Sequence, residues 1–98
     1  MKVSIKSVHF KADSKLEQFI EKKVSKLSGM YEGILGSDIT LKVDKAETKD
    51  NKVAEIRLQV PGYDLYAKKQ CDSFEEATDT AVSAIKKQLE KHKGKFKK

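Results

Sequence analysis

The last thirteen residues of this 98-residue chain hold its entire net charge of +6. Residues 86–98 carry seven lysines (86, 87, 91, 93, 95, 97 and 98) against the single acid Glu90, and residues 1–85 are neutral. The chemistry open to such a cluster is neutralisation of a polyanion. Each phosphate contacted releases condensed counterions, which gives affinity without reading any base. A second basic set, Lys15, Lys22, Lys23 and Lys26, recurs on one side of an earlier helical segment. Lysines near a helix C-terminus also have an ordinary use, since each favours the helix dipole by roughly 0.3–1 kcal/mol. Like charges four residues apart, such as Lys87 and Lys91, repel, so stability alone does not account for their density.

Other reactive side chains are sparse. His9 and His92 are the only histidines, and each reads as a surface or phosphate-contacting residue rather than a general base. Cys71 is the only cysteine, so no internal disulfide forms, and no Cys/His group has metal-ligand spacing. Asp44, Glu47 and Asp50 cluster where a hairpin tip is expected, which is the usual setting of a solvated turn. There is no nucleophile elbow, P-loop or glycine-rich dinucleotide fingerprint. The expectation is a protein with no catalytic residues, no metal or cofactor and no small-molecule substrate. Tyr66 is the one aromatic directed at an open sheet face. Stacking on a base is one use for it, and cross-strand packing is the commoner one.

The elements that must position these residues follow from hydrophobic spacing. Val3 and Ile5 alternate with Lys2, Ser4 and Lys6, a half-buried strand. Residues 13–33 switch to helical spacing, with Leu16, Phe19, Ile20, Val24, Leu27 and Tyr31 on one side. Asp13 or Ser14 can cap this helix, and Gly33–Gly36 should stop it. Ile39, Leu41 and Val43 mark a second strand, and the polar run Glu47–Lys52 a hairpin loop. Ala54, Ile56, Leu58 and Val60 mark a third strand. Pro61-Gly62 suits the centre of a type II turn, and Leu65 and Ala67 then point inward from a fourth strand, with Lys69 emerging from the core. Ser73 and Glu76 have capping-box spacing before a helix over residues 74–94, whose buried stripe is Phe74, Ala77, Ala81, Ile85 and Leu89. Gly94 should fray or end it, leaving 86–98 part helix and part tail.

The order is β-α-β-β-β-α, an α+β fold. The crossover should set strand 1 parallel to strand 2, the last three strands should form an antiparallel meander, and both helices should cover one side of the sheet. A hydrophobic fraction of 38% and a charged fraction of 37% fit one lean-cored domain over residues 1–98. No apolar run has the length of a signal peptide core or of a membrane helix. The expectation is a soluble cytoplasmic monomer that does not engage membranes.

The assembled pattern resembles the ribosome hibernation promoting factors, a family that includes the ribosome-associated translation inhibitor called protein Y. The resemblance rests on the element order and on three segments. These are Ile20-Glu21-Lys22-Lys23-Val24-Ser25-Lys26-Leu27, Val60-Pro61-Gly62-Tyr63-Asp64-Leu65-Tyr66-Ala67 and Gln88-Leu89-Glu90-Lys91-His92-Lys93. It implies a fold similar to the double-stranded-RNA-binding domain with one extra strand. It also implies binding to ribosomal RNA of the small ribosomal subunit, in the channel for messenger and transfer RNA, and inhibition of translation by steric exclusion during stress or stationary phase. The RNA-binding positions it implies are Lys22, Lys23 and Lys26 in helix 1, and Lys86, Lys87, Lys91, His92 and Lys93 in helix 2. The chain looks like the short form, in which pairing of ribosomes would need another factor. It departs from the family in having Lys68, Lys69 and Gln70 where members commonly carry acids, so no contact is carried over from strand 4.

The competing reading is a double-stranded-RNA-binding module with no ribosome specificity. Such domains commonly place lysines at the start of the last helix, where the dipole also favours phosphate. Here that end carries Asp72, Glu75, Glu76 and Asp79, which argues against it. A protein–protein module with a merely solubilising tail is a further alternative.

Overall fold

A computed structural model describes residues 2–30, 33–44 and 50–96, with the backbone alone for Tyr63 and for 92–96. The chain runs β1 (Lys2–Val8), α1 (Ser14–Ser25), a 3₁₀ turn (Lys26–Gly29), β2 (Gly36–Val43), β3 (Lys52–Val60), β4 (Tyr63–Cys71) and α2 (Phe74–Phe96). The α+β order β-α-β-β-β-α is as expected. The four strands form one sheet in the order β1-β2-β3-β4. β1 is parallel to β2, with Val3 opposite Ser37 and Ile5 opposite Ile39. β2, β3 and β4 are antiparallel.

The strand alternation sorts side chains onto two faces. Ile39, Leu41, Ala54, Ile56, Leu58, Val60, Leu65 and Ala67 are buried on the inner face. They pack with Ile20, Val24 and Leu27 of helix 1 and its 3₁₀ extension, and with Phe74, Ala77, Ala81, Ile85 and Leu89 of α2. Alanines at 77 and 81 let α2 lie close to the sheet. Val3 and Ile5 are only partly buried, as suits an edge strand. Phe10, just beyond β1, stacks on Phe74 at the start of α2, with ring centroids 4.6 Å apart and planes 9° off parallel.

Of the two candidate caps of the first helix, Asp13 is the one that forms. Asp13 accepts from the Leu16 amide at 2.8 Å, and the Ser73 hydroxyl accepts from the Glu76 amide at 3.1 Å. Gly62 has φ +95, the left-handed value that a type II turn requires at its third residue. Lys69 is exposed, as expected, and Cys71 is partly buried against the core.

Three boundaries differ. The helix expected over 13–33 leaves α geometry at Ser25 and tightens to 3₁₀ over Lys26–Gly29. There the Ser28 hydroxyl donates back to the Ser25 carbonyl at 2.7 Å, a competing bond that loosens helical hydrogen bonding. Leu27 still reaches the core at 2% exposure, while Tyr31 lies outside the described residues. Second, β2 begins at Gly36 instead of treating it as a helix stop. A Cβ there would sit 3.2 Å from the Lys2 carbonyl oxygen and 3.0 Å from the Gln59 side chain, tighter than ordinary contact, so glycine eases the close approach of β2 to β1. Third, α2 runs through Gly94 to Phe96. An interior glycine costs only about 1 kcal/mol relative to alanine, which does not stop a helix already anchored by five buried stripe residues.

Candidate nucleic-acid interface

α1 and α2 lie side by side on the inner face of the sheet, and the trough between them collects charge. It is lined by Lys23, Lys26, Leu27, Met30, Asp79, Val82, Ser83 and Lys86 and has a volume of about 260 Å³. Lys23 Nζ bridges to Asp79 Oδ1 at 3.2 Å, with the two side chains 33% and 60% exposed. The same ammonium lies 5.6 Å from the centroid of the Phe19 ring. An ion pair this open to water is worth about 0–1 kcal/mol, so a phosphate can replace the carboxylate at little cost. Lys23 therefore ties α1 to α2 only weakly and offers a cation at the trough.

The structure thus brings together Lys23 of α1 and Lys26 of the 3₁₀ turn that follows it with Lys86 of α2. Lys22 is exposed on α1 beside the trough without lining it. Lys87 and Lys91 are exposed on the adjoining stripe of α2. The side chains of His92 and Lys93 lie outside the described residues, as do those of Lys95, Lys97 and Lys98. Along α2 the charge is acidic in the first half and, apart from Glu90, basic in the second. Glu75 and Glu76 occupy the first turn and Asp79 follows, while Lys86, Lys87 and Lys91 come after. Acids at the N-terminus and cations at the C-terminus both suit the helix dipole. The same polarity keeps a polyanion away from the start of α2 and draws it to the end.

The open face of the sheet is built differently. Lys42 Nζ and the Tyr66 hydroxyl both reach the Glu55 carboxylate, each at 2.8 Å. Arg57 and Asp64 approach at 4.0 Å, and Gln59 donates to Asp38 at 3.1 Å. Hydrogen bonding to Lys42 holds the Glu55 carboxyl below its ordinary range. The same contact raises Lys42, and burial together with the Glu55 contact raises Tyr66. Tyr66 is thus a cross-strand partner, although the residue stays 45% exposed.

Val53 is the residue that alternation missed. It lies on the polar face yet is 2% exposed, lining a hollow with His9, Lys42, Val43, Asp44, Lys68 and Gln70. His9 reaches this hollow from a left-handed backbone, φ 67. The sequence signal was present, since a valine at an outward position of a strand is an exception to its pattern. Of the three acids expected at the hairpin tip, Glu47 lies outside the described residues. Asp50 instead lies beside Asp72, and its nearby carboxylate pushes the Asp72 carboxyl above the ordinary range. Among the described residues, no group of three or more His, Cys, Asp or Glu could hold a metal ion, and no helix is long and apolar enough to cross a membrane.

Comparison with known proteins converges on one family. The family model described as Sigma 54 modulation protein / S30EA ribosomal protein matches residues 3–97. A ribosome hibernation promoting factor of Pseudomonas putida is 26% identical over 95 residues, spanning 97% of this chain and 89% of the relative. That of Klebsiella oxytoca is 28% identical over 97 residues, spanning 99% of this chain and 98% of the relative. Among solved structures, a ribosomal subunit interface protein from Coxiella burnetii superposes with a TM-score of 0.84, at 19% identity, over 96% of this chain and 99% of the other. The N-terminal domain of Thermus thermophilus Protein Y gives 0.81, at 19% identity, over 94% of this chain and 99% of the other. At that identity the structural likeness is one of fold.

Proposed function

We propose, on the premise that this chain belongs to the Sigma 54 modulation protein / S30EA ribosomal protein family, that it is a ribosome hibernation factor. In this reading it binds ribosomal RNA of the small subunit in the channel for messenger and transfer RNA, and inhibits translation by occupying that space. The observation that carries the reading is the shared trough. Two helices far apart in sequence bring Lys23, Lys26 and Lys86 to one groove, and the lysine-rich end of α2 continues from it.

The mechanism is positional and requires no reaction. Lysines on phosphates fix where a body sits on RNA without reading bases. Specificity then comes from shape, because cations held at fixed spacing by packed helices match only certain folds of the RNA backbone. A domain seated in the channel excludes the substrates of translation by volume alone. The protein acts as a cytoplasmic monomer over residues 1–98, with Lys22, Lys87, Lys91, His92 and Lys93 extending the surface.

Sedimentation with ribosomes in gradients, with and without messenger and initiator transfer RNA, tests this. The protein should travel with the small subunit and be displaced when both RNAs are present. The variant Lys86→Glu, Lys87→Glu, Lys91→Glu, Lys93→Glu should stay at the top of the gradient. Undiminished binding in the presence of both RNAs would contradict competition. Tight, length-dependent binding to a plain RNA duplex, with no preference for ribosomes, would favour the duplex-binding alternative.

A further inference from the structure

The two edges of the sheet are finished differently. At the β4 edge, Gln88 of α2 donates to the Tyr66 carbonyl at 2.8 Å, so the helix occupies a backbone acceptor that another strand would use. β1 is the opposite edge and pairs only with β2. Among the described residues, no loop or side chain hydrogen-bonds to its outer side. Beside that edge runs a groove of about 270 Å³, with Val3 and Ile5 as its floor and Ser14, Glu17, Gln18 and Glu21 of α1 as its wall.

The charge on α1 is divided between its flanks. Glu17 and Glu21, one turn apart, face the β1 groove, while Lys23 and Lys26 face α2. A polyanion bound at the basic flank leaves the acidic one unused, and the acidic one suits a cation.

We propose that the β1 edge and this groove accept an extended basic peptide segment as a fifth strand. Strand addition supplies main-chain hydrogen bonds for affinity and alternate side-chain sites for specificity. In an added strand, every second side chain enters the groove. Lysine or arginine fits there, its aliphatic stem across Val3 and Ile5 and its charged head at Glu17 and Glu21. The intervening side chains lie beside Lys2, Ser4 and Lys6 of the open face, so small uncharged residues fit between them. A second copy of this chain fits poorly. In an antiparallel pair of two β1 strands centred on Ser4, Lys2 and Lys6 face each other, and like charges directly opposite are destabilising.

The test uses the free full-length protein and backbone-amide NMR, with a capped octapeptide alternating lysine and threonine as the probe. It is independent of any ribosome binding. The amides of residues 2–8 and 14–21 should shift on titration, although the protein and the peptide are both net positive. An alternating glutamate–threonine peptide should not bind. Glu17→Lys with Glu21→Lys, both exposed positions, should weaken binding by about tenfold or more, with an unchanged circular dichroism spectrum. Two N-methylated probes, one blocked at the lysine amides and one at the threonine amides, separate strand addition from plain charge attraction. In a strand pair only one of those sets faces β1, so one probe should fail and the other bind. Any other pattern, shifts confined to the basic trough, or dimerisation of the protein through β1 would overturn the proposal.

Discussion

Glu55 accepts from two donors on neighbouring strands, and this makes its charge part of the open face. Its carboxyl is held below the ordinary glutamate value of 4.5, first by the Lys42 hydrogen bond. A depressed carboxyl stabilises the fold above its unfolded value, and the contribution is lost as pH falls through the folded value. Glu55→Gln should therefore lower the thermal midpoint at neutral pH, and the gap from the native protein should close below about pH 4.5, read by circular dichroism melts from pH 7 to pH 2. Asp72 has the opposite sign. Its carboxyl is raised above the ordinary 3.8 by the neighbouring Asp50, so its charged form opposes folding. Asp72→Asn should raise the midpoint at pH 7, and that gain should vanish in acid. Neither carboxyl was legible in the sequence as perturbed, because Asp50 and Asp72 become neighbours only when β3 and β4 pair. The lysines were legible individually. That Lys23, Lys26 and Lys86 share one trough while Lys22 stands beside it depends on the roll of α1 against α2, which spacing within either helix does not encode.

At the scale of elements, alternation and turn chemistry determined most of the outcome. Inner-face residues of β2, β3 and β4 are the ones that period-two spacing selected, and Pro61-Gly62 turns where it should. Gly62→Ala forces a side chain to φ +95 and should cost about 1–2 kcal/mol in denaturant unfolding. Ser73→Ala removes the acceptor for the Glu76 amide and should cost about 1 kcal/mol in the same measurement. What spacing missed has local causes. Serine–backbone competition tightened the end of α1, and neighbouring strands left little room for a side chain at 36. Helix propensity carried α2 through Gly94, because one glycine is a weak stop when no left-handed cap accompanies it. Val53 shows the limit of a two-face rule, since an outward valine finds cover among Lys42, Gln70 and His9.

The whole molecule measures 48 × 24 × 18 Å, elongated for its length, and its charge is polarised as its shape is. Leu89 is the last buried residue described on α2, and the helix continues to Phe96, so the net positive charge sits at one end. RNA affinity should fall steeply with salt. Removing Lys26, Lys86, Lys87 and Lys91 together should reduce the slope of log K against log salt by about 3, at roughly 0.7–0.9 for each phosphate no longer neutralised, measured by filter binding from 50 mM to 300 mM salt. The order of the sheet also has a kinetic meaning. β2, β3 and β4 follow one another through short connections, so their pairing closes small loops. β1 joins only across the whole span of α1, against one neighbour, with its apolar residues half buried. Loop-closure entropy makes that the late step of folding, and the same geometry makes it the first to open. Amide hydrogens of Val3–Ser7 should exchange with solvent well before those of β3, which is bonded on both sides, and a strand added at β1 would slow that exchange without touching the rest of the sheet.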